Sequence, residues 1–337
     1  MKKRTLTGIQ PSGTPHLGNY LGAIRPALAL QDTHACFFFI ASYHALTTSR
    51  DAAALRQRVL EVAATWLACG LDPARTVLWA QHDVPEVTEL AWILGCYTGT
   101  GLLDKAHAFK DAVARQKADV INAGLYTYPV LMAADILAFD SDLVPVGQDQ
   151  KQHIEITRDI AARINHQYGE VLHLPEPLIQ ADVATVPGID GQKMSKSYGN
   201  TIPLFLPSKQ LRKRIMEIQT DSTPLEAPKD PEASTVFALY KLVAAPDQVA
   251  EMAAAHRAGG YGHGHAKQAL FEALDARFAE ARERYAALLA APAELEAILD
   301  DGAHRARTVA RETLRRVRDV VGLHTFARPA PAVSTVR

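Results

Sequence analysis

Arg4-Thr5-Leu6-Thr7-Gly8-Ile9-Gln10-Pro11-Ser12-Gly13-Thr14-Pro15-His16-Leu17-Gly18-Asn19-Tyr20 reads as a strand, a tight turn and the mouth of a helix. The strand covers residues 4–8 and ends at glycine. Gly8, Gly13, Gly18, Pro11 and Pro15 then crowd the turn. Glycine lets a ligand approach the backbone, and the free N–H groups of a helix start suit phosphate. A plain tight turn would use the same residues. The segment is not Gly-x-Gly-x-x-Gly, and no Gly-x-x-x-x-Gly-Lys-Ser/Thr occurs, so the dinucleotide fingerprint and the P-loop are both excluded.

Outward from this turn, residues 17–31 predict a helix that Pro26 should bend. The run Cys36-Phe37-Phe38-Phe39-Ile40-Ala41 is apolar throughout, as a buried parallel strand would be. Residues 52–69 have helical periodicity, with Gly70 as the stop. Residues 77–80 and 143–146 are further strands. A helix begins near Pro85 with Glu86 and Glu89 in its first turn, and another spans 150–168. This alternation predicts a doubly wound, Rossmann-like parallel α/β sheet with ligands at the carboxyl ends of its strands. After residue 205 no strand is evident. Residues 208–219, 234–245, 265–289 and 293–321 read as helices, separated by Pro- and Gly-rich stretches, which predicts an appended all-helical domain. The expected division is 1–205 for a nucleotide-binding catalytic domain, 206–326 for a helical domain and 327–337 for a disordered tail.

The chain has 337 residues, 48% apolar and 22% charged, with 36 basic and 37 acidic side chains. That balance excludes wholesale disorder and a basic coat for wrapping nucleic acid, though not a local basic patch. No apolar run suggests a membrane span, and Lys2-Lys3-Arg4 is not followed by a signal-peptide core, so a cytoplasmic protein is expected. Cys36, Cys69 and Cys96 are scattered, with no Cys-x-x-Cys, and read as small buried residues rather than a metal or disulfide set.

A second chemical segment lies in a glycine-flanked loop, residues 188–200. It contains Lys193-Met194-Ser195-Lys196-Ser197. Two ammonium groups on mobile stems can follow negative charge onto a departing pyrophosphate. Together, His16-Leu17-Gly18-Asn19 and this string resemble the HIGH and KMSKS signatures of class I aminoacyl-tRNA synthetases. Residues 8–13, 128–137 and 144–153 are similar to the bacterial tryptophanyl-tRNA synthetases, and the resemblance runs from about Thr5 to Leu323.

The resemblance implies ATP-dependent attachment of L-tryptophan to tRNA(Trp). Tryptophanyl-adenylate forms first, and the amino acid then passes to the terminal adenosine 2′-hydroxyl. It implies catalytic roles for Lys193, Lys196, Ser195, His16 and Asn19. ATP contacts fall to Gln10, Ser12, His16, Gly18, Asn19, Gly147, Asp149, Lys193, Met194, Ser195 and Lys196. The tryptophan pocket would comprise Gly8, Tyr128, Met132, Asp135, Val144, Val146 and Gln150. An indole N–H only donates, so its pocket needs an acceptor, and Asp135 on an apolar helix meets that need. Mg2+ is expected on the ATP phosphates, with no metal ligand assigned to a side chain. A homodimer is implied, as are tRNA(Trp), bound by the helical domain 206–326, and L-tryptophan as partners, with no membrane.

Three places depart from the family pattern. Ser42-Tyr43-His44 stands where Asp-x-His is frequent, and His44 reads as a packed histidine. Gln148 replaces a frequent acid. Ala112 replaces a lysine, leaving Lys110 as either a third phosphate lysine or a surface one. In the last helix, Arg307, Arg311 and Arg315 recur at i, i+4 and i+8, among Arg305, Arg316 and Arg318. They form either a tRNA-facing basic stripe or a solvated face. The alternatives are a tyrosine-specific relative, a small-molecule nucleotidyltransferase and a catalytically silent tryptophan- or RNA-binding paralogue.

Overall fold

The computed structural model describes residues 2–104, 106, 121–147, 150–179 and 186–324. Five strands, β1 (Arg4–Ile9), β2 (Ala35–Ile40), β3 (Val77–Ala80), β4 (Leu143–Val146) and β5 (Glu176–Ile179), form one parallel sheet in the order β3-β2-β1-β4-β5. The order reverses between β1 and β4, and such a switch point opens a crevice at the carboxyl ends. β5 is an addition to the sequence reading. It is a four-residue edge strand that begins with the exposed Glu176, and its Pro177, which cannot donate to a ladder, is tolerated at the edge.

The apolar β2 run is explained by cover on both faces. Phe37 and Phe39 enter one core and Cys36, Phe38 and Ile40 the other. Helix α1 (residues 17–28) passes through a π-turn, Tyr20–Ile24, where the Arg25 N–H reaches back to the Tyr20 carbonyl. Pro26 follows at the start of the last α-helical turn, where its missing donor is tolerated. α2 (Ala52–Ala68) covers one face, while α3 (Glu86–Cys96), α4 (Ala123–Leu137) and α5 (Lys151–Tyr168) cover the other.

A third core belongs to α6 (Ser208–Met216), α7 (Thr235–Lys241), α8 (Pro246–Ala258) and α9 (His263–Ala290). Leu17, Leu21 and Met194 join it, so the helical layer is built onto the mouth of α1 and the lysine loop. Helix α8 escaped the sequence reading, although Pro246 at its first position and Gly259 after its end are the usual marks.

The final helix, α10 (Pro292–Val321), departs from the expected division. It does not stay with the other helices but crosses the free edge of β3. Leu295 and Leu299 enter the core on one sheet face, while Ala303, Ala306, Ala310 and Leu314 enter the other. Gly302 marks the crossing, where an added Cβ would lie 1.8 Å from the Leu78 carbonyl oxygen. Its arginines carry acidic partners, although the Arg311 and Arg315 side chains stay 60% and 68% exposed. Arg307 and Arg311 both reach Glu86, at 3.0 and 2.8 Å, and Arg318 takes Glu89. Arg316 pairs with Asp140, Arg315 with Asp319 and Arg305 with Asp301. Packing brought Glu86, Glu89 and Asp140 from distant segments to Arg307, Arg311, Arg318 and Arg316, whereas the partners of Arg305 and Arg315 lie one turn along the same helix.

Among the described residues, no helix is long and apolar enough to cross a membrane.

Candidate active site

The largest feature at the switch point is a cavity of about 660 Å³, a size suited to a small ligand. Gly8, Gln10 and Ser12 line it from β1 and the turn after it. Tyr128, Met132 and Asp135 come from α4, Val144, Val146 and Gly147 from β4 and its end, and Gln150 from the start of α5. Gly8 is needed for space: a Cβ there would lie 2.5 Å from the Phe39 ring. Gln150 is the N-cap of α5 and makes no side-chain cap bond, so the positive end of that helix opens at the cavity.

Asp135 is 2% exposed. Its Oδ1 accepts from Gln81 Nε2 at 2.7 Å and its Oδ2 from His44 Nε2 at 2.7 Å. Burial pushes its carboxyl above the ordinary range, and the bonds from His44 and Gln81 oppose that shift. A carboxylate has about four lone-pair sites, so capacity remains for a third donor from the cavity. Tyr128 lies beside this pair. Its hydroxyl is 3.2 Å from His153 Nε2, and burial raises its pKa to about 12. It therefore stays a neutral phenol.

Sequence reasoning passed over His44, Gln81 and His153. His44 is packed, as read, but packed against the candidate specificity residue. Ser42, at the altered position, pairs with His82 Nδ1 at 2.8 Å rather than with His44.

The second half of the site is a narrow crevice lined by Gln10, Gly13, Pro15, Asn19 and Lys196. Gln10 also lines the large cavity and so joins the two. Lys196 Nζ donates to the Gly13 carbonyl at 2.8 Å, bringing the lysine loop onto the opening turn. Leu17 N–H donates to the Ile202 carbonyl, and Leu204 N–H to that of Pro15. Met194 Sδ lies 3.3 Å from the Gly18 amide. Asn200 braces the loop from within, accepting from the Ser195 N–H and donating to Asp190 and the Lys193 carbonyl. Gly188 makes room for it, since a Cβ there would lie 2.3 Å from the Asn200 amide. Ser195 caps the turn Lys196–Tyr198 through its hydroxyl, while Lys193 is exposed on the same loop. Asn19 Oδ1 accepts from the His16 N–H at 3.1 Å.

His16 is buried, and its Nδ1 has no hydrogen-bond partner among the described residues. Burial, then the nearby Lys196 charge, lowers its pKa from 6.5 to about 4. The imidazole is thus neutral at physiological pH. The unfolded chain takes up this proton below 6.5 but the folded chain only near 4. The stability it contributes is therefore present above 6.5 and lost as pH falls toward 4. Denaturant unfolding at stepped pH should show that decline, and His16→Gln should flatten it. An unaltered profile in the variant would place the acid sensitivity elsewhere.

Of the sequence-based site residues, Gly8, Gln10, Ser12, Tyr128, Met132, Asp135, Val144, Val146, Gly147 and Gln150 line the cavity and Gln10, Asn19 and Lys196 the crevice, while His16, Gly18, Lys193, Met194 and Ser195 line neither. Asp149, Lys110, Gln148, Ala112 and the 327–337 tail lie outside the described residues.

The family described as tRNA synthetases class I (W and Y) matches residues 2–279. A "Tryptophan--tRNA ligase" of Xanthomonas axonopodis pv. citri is 51% identical over 98% of this chain and 78% of its own length. One of Campylobacter jejuni is 49% identical over 95% of this chain and 100% of its own. The crystal structure of tryptophanyl-tRNA synthetase from Campylobacter jejuni complexed with ADP and tryptophan superposes with a TM-score of 0.88. It is 48% identical and covers 95% of this chain and 99% of that one.

Proposed function

The chain belongs to the class I tRNA synthetases of the tryptophan and tyrosine group, and from that premise we propose that the cavity holds tryptophan while the crevice handles the triphosphate of ATP. The chemistry is the ATP-using attachment of tryptophan to tRNA. Asp135 carries the substrate assignment. It is a buried carboxylate at a cavity wall of Met132, Val144 and Val146, with both oxygens accepting and room for one more donor. An indole N–H satisfies it, and a phenyl ring would leave it short of a partner.

In the proposed first step the tryptophan carboxylate attacks the α-phosphate in line, giving tryptophanyl-adenylate and pyrophosphate. A carboxylate is already nucleophilic, so the protein supplies positioning and charge rather than a strong base. Gln150 and Tyr128 orient the amino acid, aided by the open end of α5. Gln10, Ser12, Gly18, Asn19, Gly147 and Met194 frame the nucleotide, and His16, neutral and with its Nδ1 uncommitted among the described residues, offers a hydrogen bond to it. Lys193, Ser195 and Lys196 take the charge that develops on pyrophosphate. Asp149 is kept as a further ATP ligand. Mg2+ would neutralise the triphosphate, held by phosphate oxygens and water rather than a protein cage. The terminal adenosine 2′-hydroxyl of tRNA(Trp) then attacks the adenylate carbonyl, so that the ester forms, the acyl–phosphate bond breaks and AMP leaves with the hydroxyl proton passing to solvent.

The proposal also includes a cytoplasmic homodimer with tRNA spanning both subunits. The domain division expected near residue 205 is proposed in amended form, with α10 returned to the catalytic layer.

ATP–pyrophosphate exchange tests the reading directly. Tryptophan should support exchange far better than tyrosine or phenylalanine. Exchange with tyrosine alone would reverse the substrate assignment, and none with any amino acid would favour the silent paralogue.

A further inference from the structure

With the α10 arginines occupied by acids, the positive charge available beside the site lies elsewhere. Helix α6 reads Ser-Lys-Gln-Leu-Arg-Lys-Arg-Ile-Met and contains no acid. Leu211 and Ile215 bury one side of it in the helical core. Lys209, Arg212 and Lys213, spaced i, i+3 and i+4, share the exposed side. Among the described residues no ion pair engages any of the three. Arg212 makes a neutral bond, to Gln268 at 3.1 Å. Of the acids near this face, Asp275 pairs with Arg282 and also accepts from Ser208, Glu217 pairs with Arg214, and Glu272 accepts from the neutral Gln268 amide.

The helix is also wired to the lysine loop. Arg214 donates to the Gly199 carbonyl at 2.6 Å and to that of Thr201 at 2.8 Å, just beyond Lys193–Ser197. Lys213 and Arg214 border a hollow of about 420 Å³ next to Thr201 and Pro203. A row of cations without acidic partners, set on a rigid helix beside a concavity, complements a run of backbone phosphates.

We propose that the exposed face of α6, through Lys209, Arg212 and Lys213, is the docking strip for the phosphate backbone of the tRNA, and that α10 is not. The inference rests on the tRNA-charging function above. It adds where the RNA lies, against the helix that anchors the end of the lysine loop.

The test measures direct binding of transcribed tRNA(Trp) to the full chain by fluorescence anisotropy at several KCl concentrations. The double variant Lys209→Gln/Lys213→Gln removes two exposed charges and spares the Arg212–Gln268 bond. Its affinity should fall roughly ten-fold at about 0.1 M salt, and its log–log salt slope should become shallower by about 0.7–0.9 for every phosphate the strip no longer neutralises. Arg311→Gln, whose guanidinium is held by Glu86, should retain the parent slope. A double variant that binds like the parent, or an equal fall in Arg311→Gln, would overturn the assignment. Pyrophosphate exchange uses no RNA and separates the two levels of failure. A parent without exchange refutes the underlying function, whereas intact exchange with unchanged tRNA binding in the double variant refutes the docking strip.

Discussion

Replacing Lys196 by alanine should slow tryptophan-dependent pyrophosphate exchange by roughly 10²–10³-fold, the usual cost of removing a group that stabilises transition-state charge. The affinity for tryptophan should scarcely move. The reason is geometric: Lys196 lines the crevice with Gly13 and Asn19, while the tryptophan cavity lies on the other side of Gln10. Burial, then the Arg58 charge, holds its ammonium below the usual lysine range. Exchange in the parent should therefore decline at alkaline pH sooner than a free lysine would dictate. Single-turnover adenylate formation and equilibrium tryptophan binding, measured on the same variant, separate the two contributions. Equal losses in both would show that Lys196 supports the ground state and plays no selective part in the transition state.

Asp135→Asn should reduce kcat/KM for tryptophan by about ten- to a hundredfold, the range expected when a charge-assisted hydrogen bond is lost. Phenylalanine, whose ring offers no N–H, should be far less affected, so the preference between the two narrows. Asparagine preserves shape but replaces one accepting oxygen with a donor. That amide would then face either His44 Nε2 or Gln81 Nε2, both of which donate to Asp135 in the parent. Asp135→Ala should also cost about 1–3 kcal/mol of stability for each buried donor left unsatisfied. An unaltered tryptophan-to-phenylalanine ratio in Asp135→Asn would remove Asp135 from the specificity assignment.

Local chemistry made part of this readable from the chain. The β2 run is apolar on both sides because both faces are covered, and that pattern survives in one dimension. The opening turn and the lysine string announce themselves because glycine, proline and lysine have few substitutes in what they do. The remainder depended on long-range packing. Asp135 could be read as an acceptor, but its partners His44 and Gln81 come from distant segments. β5, Glu176-Pro177-Leu178-Ile179, is short, opens on an exposed acid and lies at the sheet edge, so its sequence carries little strand signal. The α10 arginines have the spacing of a nucleic-acid face, yet Glu86, Glu89 and Asp140 meet them only after the helix has crossed the sheet. Conversely, α6 carries its charge in an ordinary stretch of sequence, and only the prior commitment of the surrounding acids in three dimensions sets it apart.

The straddling of β3 by α10 bears on how the chain is made. β3 is extruded from the ribosome early, whereas the helix with Gly302 arrives almost last. Throughout that interval the margin of the nascent sheet has unpaired peptide groups, ready to zip onto a neighbouring polypeptide. Translation halted before residue 292 would therefore release a sticky fragment rather than a smaller working enzyme.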